Sequence, residues 1–165
     1  MRKFAATLAA AAALAASTGA IGQSPDPQPV AGSAAQGSIV GPGYFVSDMD
    51  KSLEFYRDIL GMTVRMKFGD DDHPEVVIGY GSQMTGASIM LLTDRKQGKP
   101  RKIEQGHGYS RLAINIPDIA GLKAKLTKAG YESTEINVVH DAFLMMMATD
   151  PDGYRIEVLQ TVVPK

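Results

Sequence analysis

The residue that most invites a chemical reading is Glu157, the one carboxylate in the strand-like run YRIEVLQ. A carboxylate held among apolar neighbours can ligate a metal or move a proton. Other reactive groups are few. The chain has three histidines and no cysteine, so thiol chemistry and cysteine–zinc sites are excluded. His73 sits in FGDDDHPE beside Asp70, Asp71 and Asp72, at a spacing that fits no calcium loop and reads as a solvated hairpin tip. His107, in GHGYS four residues before Arg111, either lines a site as an acid or base or lies in a surface loop. His140 falls in a turn and has no assigned role. Neither a nucleophile elbow nor a dinucleotide fingerprint is present, and GYGSQMTG joins two strands instead of opening a helix that could hold phosphate.

Bulk composition narrows the field. With 17 basic and 18 acidic residues in 165, nothing favours nucleic acid as a partner. The basic run RKQGKPRK reads as a solvated linker. The length suits one domain with a real core. The first segment has the layout of a secretory signal: Met1-Arg2-Lys3, then the apolar run FAATLAAAAALAA, then small residues. That run is too short to span a bilayer. We expect a signal peptide over 1–22, a flexible Pro/Gly/Ser/Ala tether over 23–37, and a folded domain over 38–163. The mature protein is then periplasmic or secreted, with no membrane contact.

The folded part reads as one unit written twice. SIVGPGYFV is extended, and Met49, Leu53, Tyr56 and Leu60 then recur on one helix face. Ser47 or Asp48 can cap this helix and Gly61 can end it. MTVRMKF, EVVIGYG and ASIMLLT follow as strands. In the second half SRLAINI precedes a helix with Ile119, Leu122, Leu126 and Ala129 inward and Gly130 at its end; YESTEINVV, AFLMMMAT and YRIEVLQ complete the set. The helix-opening Asp48 and Asp118 are seventy positions apart. The fold class is α+β: two βαβββ modules, about 38–94 and 107–161, in one domain.

SDMDKSLEFYRDILGM and DPDGYRIEVLQ, found in this order between such modules, resemble the vicinal oxygen chelate superfamily. This is the group of glyoxalase I, fosfomycin-resistance enzymes, extradiol dioxygenases, methylmalonyl-CoA epimerase and bleomycin-binding proteins. The resemblance implies a curved mixed sheet around a cavity, and in metal enzymes of the family four ligands drawn from His, Gln or Glu. Carried over position by position, these fall at Gly41, at Leu91 (or Met90, one residue earlier), at Arg111 and at Glu157. Only Glu157 can bind a hard cation, so the expectation is no metal and no other cofactor. The family arrangement makes the first and last strands of a half neighbours, which would bring Arg111 beside Glu157. That pair either anchors a ligand or forms a cross-strand bridge that closes an unused cavity.

The expected ligand-binding residues are Arg111, Glu157, Asn115, Leu91 and Met145, and the run Met145–Met147 is either pocket wall or ordinary core. Two functions fit: a metal-independent protein that binds a small organic molecule, or a glyoxalase-like lyase or isomerase with Glu157 as base and Arg111 stabilising an oxyanion. A metal-dependent lyase or dioxygenase would follow if metal were found, and a ligand-free remnant is the third reading. Single-domain members commonly pair, so a homodimer is expected by that analogy.

Overall fold

The computed structural model describes residues 39–81, 86–96 and 102–162. The expected signal peptide and tether lie outside them. Each half folds as βαβββ. In the first, β1 (Gly43–Phe45) leads into α1 (Met49–Leu53), which continues as π-helical turns over Glu54–Ile59, and β2 (Thr63–Gly69), β3 (Pro74–Gly79) and β4 (Ile89–Leu92) follow. In the second, β5 (Leu112–Asn115), α2 (Ile119–Ala129), β6 (Asn137–Val139), β7 (Phe143–Thr149) and β8 (Arg155–Thr161) repeat the order. The strands form two four-stranded sheets, β1-β4-β3-β2 and β5-β8-β7-β6. In each sheet the first and last strands of the module run parallel and the other pairs are antiparallel.

Both helices start where the sequence places a cap. Asp48 accepts from the amides of Asp50 and Lys51, and Asp118 accepts from that of Gly121. Gly130 ends α2 in the left-handed conformation, with φ 81°, and Gly61 has φ 77° after the first helix. The π turns are set by amides that reach past the usual acceptor, such as Leu60 N–H donating to Phe55 O at 3.0 Å. The extra residue per turn shifts the phase of the side chains. Phe55 and Ile59 are therefore buried together with Leu53, Tyr56 and Leu60, a wider face than a regular helix would give. Ala129, expected inward, is exposed, because α2 runs past the edge of the core after Leu126.

One core serves both halves. Leu91, Ile78, Phe55 and Tyr56 of the first module and Leu126, Met146, Ile156 and Val158 of the second belong to one buried cluster. Phe55 meets Tyr131 edge-on across the modules, with centroids 5.0 Å apart. Tyr44, Tyr109 and Tyr154 form a second inter-module contact in which the Tyr109 hydroxyl donates to that of Tyr44 at 3.1 Å. The helix-bearing faces of the sheets supply this core. Their opposite faces are open, as the half-exposed Phe45, Met66 and Phe68 on the first sheet and Arg111 on the second show. The curved sheets thus do not close around a cavity.

Candidate functional site

The second sheet carries the polar site. Alternation along β5 puts Ile114 in the core and Arg111, Ala113 and Asn115 on the open face. In β8, Ile156 and Val158 are buried while Arg155, Glu157 and Leu159 face the other way. The parallel register sets Ala113 beside Glu157 and Asn115 beside Leu159. Arg111, just before β5, reaches diagonally, and its Nε donates to Glu157 Oε2 at 2.7 Å. The guanidinium side chain is 50% exposed and the carboxylate side chain only 19%, so the arginine forms the open end of the pair. Asn115 Nδ2 donates to Thr161 Oγ1 at 2.9 Å on the same face.

The antiparallel partner β7 supplies the apolar floor. Met147 is in register with Glu157 and Met145 with Leu159. Both thioethers are half-buried, whereas Met146 between them is fully buried in the core. The methionine run therefore divides: its middle residue packs the core and its outer two line the open face.

Leu91 does not belong to this face. It is fully buried on the helix side of β4, in register with Tyr44 of β1. Superposing the repeats, with Tyr44 matching Ile114 seventy positions on, makes Met90 the counterpart of Glu157. The apolar run IMLL has no polar residue to reveal its phase, and only pairing with β1 fixes it. A cavity of about 350 Å³ does reach the second module and is lined by Gly41, Ile89, Leu112, Ala113 and Asn115 among others, but Arg111, Glu157 and Met145 do not line it. His73 Nδ1 lies 3.1 Å from Asp70 Oδ1 at the β2–β3 hairpin, and His107 lies exposed in a turn.

A family-type metal finds no matching donor set here. Gly41 has φ 141°, and a Cβ built on it would stand 1.5 Å from the Ser88 carbonyl oxygen, so no ligand side chain of any kind fits that position. Met90 offers a thioether and Arg111 a permanent cation, neither of which suits a hard divalent ion. Among the described residues no three His, Asp or Glu side chains converge as a metal cage.

A second polar group lies in the turn that leads into β8. Asp150 is 5% exposed and accepts from the Tyr56 hydroxyl at 2.9 Å and from the backbone amides of Asp152 and Tyr154 at 2.9 and 2.8 Å. Burial pushes its carboxyl up to about 6 in spite of these donors. Asp152 next to it accepts from the Ser47 amide at 3.1 Å. The turn before β8 thus clasps the first helix of the other module, which fixes where Glu157 stands.

Residues 37–158 match the model of the Glyoxalase/Bleomycin resistance protein/Dioxygenase superfamily. A probable lactoylglutathione lyase of Synechocystis sp. is 34% identical over 123 residues, which cover 70% of this chain and 89% of the relative. A probable lactoylglutathione lyase of Vibrio cholerae is 32% identical, over 70% of this chain and 84% of its own. Among solved structures, the trypanothione-dependent glyoxalase I of Leishmania major aligns with a TM-score of 0.63 at 26% identity, covering 76% of this chain and 87% of that one. The antibiotic-binding protein TnmS3 of Streptomyces shares the fold, with a TM-score of 0.57 at 18% identity over 78% of this chain and 98% of that one. The doubled βαβββ architecture and the matches agree, and the chain belongs to the Glyoxalase/Bleomycin resistance protein/Dioxygenase superfamily.

Proposed function

We propose that this protein binds a small organic molecule on the open face of its second sheet, without a metal, using Arg111 and Glu157 as polar anchors. The observation that carries this reading is the Arg111–Glu157 bond of 2.7 Å standing where the family otherwise gathers metal ligands. One ion pair and an apolar floor of Met145, Met147 and Leu159 are what a binding surface needs: few oriented polar groups on an apolar ground. Asn115 adds a third polar anchor. A second copy of the chain would cover the open face and complete the pocket. Export by the N-terminal segment would place this binding outside the cytoplasm.

The names of the relatives favour a second reading, a glyoxalase-like lyase or isomerase. Glu157 would then take a proton from carbon, and the free edge of Arg111 would meet the developing oxyanion.

Metal content and ligand response separate the two. The mature protein, purified without chelators or a metal-binding tag, is expected to carry no stoichiometric divalent metal. Its melting temperature should rise with aromatic ligands in the wild type and not in Arg111→Ala or Glu157→Ala. About one metal per chain, lost in Glu157→Ala, would overturn the metal-independent reading. Turnover abolished by Glu157→Gln in a folded chain would establish the enzyme.

A further inference from the structure

The face that holds Arg111 and Glu157 also holds Arg155. Leu112 is in register with Ile156, so Arg111 and Arg155, each one residue earlier, begin neighbouring parallel strands side by side. Both point away from the core, as the burial of Ile114, Ile156 and Val158 requires. Like charges on adjacent strands repel. Glu157 relieves only one of them, because its Oε2 is bonded to Arg111 Nε. Arg155 is exposed and has no ion pair or side-chain hydrogen bond among the described residues. The face therefore keeps one cation in excess at the end of an apolar strip made by Met147, Leu159 and Met145.

We propose that Arg155 is a ligand-binding residue, and that the molecule bound on this face is an organic monocarboxylate with a flat apolar body. The carboxylate meets the free guanidinium fork of Arg155, a geometry that allows two parallel hydrogen bonds. The body lies along the strip towards Leu159, which is four residues on and so about 13 Å away at the usual strand rise. A dianion such as a phosphate monoester fits less well, since the site offers one unmatched cation and Glu157 stands beside it. This inference rests on the reading of the open face as a ligand surface.

The test uses two probes of one shape: 2-naphthoate, which is anionic, and 2-naphthamide, which is neutral. Dissociation constants are measured by calorimetry on the full chain at low salt. The wild type should bind the carboxylate about tenfold more tightly than the amide, the scale of one charge-assisted hydrogen bond. Arg155→Gln should remove that preference by weakening the carboxylate far more than the amide, while Arg155→Lys should retain part of it. Equal affinities in the wild type, or a preference that persists in Arg155→Gln, would sink the inference and leave the binding face standing. If neither probe binds the folded wild type, both the inference and the reading beneath it fall.

Discussion

Asp150 should make this protein less stable as the pH rises from about 4 to about 6, opposite to ordinary acid unfolding. Its carboxyl is raised from 3.8 to about 6 by burial. The folded state therefore holds the proton more tightly than the unfolded chain. The stabilising effect of that proton is fully present below pH 3.8, and it is lost as the pH rises through the folded value. A difference of about two units at about 1.4 kcal/mol each gives a loss of about 3 kcal/mol from this one group. Exposed carboxylates such as Asp58 and Asp70, whose pKa values are lowered by a guanidinium and by the His73 amide, slope the other way. The informative quantity is therefore a difference. Urea unfolding of the wild type and of Asp150→Asn should be followed from pH 3.5 to 7, a range chosen to bracket both values. The asparagine keeps an oxygen for the Asp152 and Tyr154 amides and cannot ionise. Wild-type stability should fall relative to the variant across this window by up to about 3 kcal/mol, then level off. A difference that is flat with pH, or that rises through the window, would refute the argument that burial governs this carboxyl.

Three further outcomes can be checked. Gly41→Ala should fail to fold or lose several kcal/mol, because the new Cβ would occupy the Ser88 carbonyl; circular dichroism and soluble yield report it. Tyr56→Phe removes the hydroxyl that donates to buried Asp150, and should cost about 1–3 kcal/mol in urea at pH 7, and less at pH 4 where the carboxyl is protonated. Asp118→Ala strips the cap from α2 and should cost about 1 kcal/mol without altering ligand response at the open face.

Sequence pattern carried the repeat, both caps, the helix-ending glycines and the alternation of β5 and β8. The resemblance to the vicinal oxygen chelate superfamily, more than pattern, implied Arg111 beside Glu157, and the two side chains meet diagonally across β5 and β8 at 2.7 Å. Pattern failed where the signal is absent or non-local. In β4 every residue is apolar, so Leu91 and Met90 could not be told apart until β1 paired with them. The stretch EFYRDI looks like regular helix, and nothing in its residue types announces the π turns. Within DPDG, Asp150 reads simply as a turn residue. Its hydroxyl donor is Tyr56, 94 positions away, and no local pattern reports a contact of that range. Ala129 has the right spacing for the core, but the core ends before it.

The seam between the modules bears on how the molecule comes apart. Two repeats of this size invite the picture of beads that melt one at a time. Here Asp150 is satisfied by a hydroxyl from the other repeat, Asp152 by an amide from the other repeat, and Tyr44 by two rings from the other repeat. Releasing either half would strand a buried carboxylate and uncover the aromatic cluster on both sides at once. Amide exchange should therefore show one shared protection plateau for β3, β4, β7 and β8. Neither repeat made alone should reach a folded state: the whole domain is the unit of cooperativity.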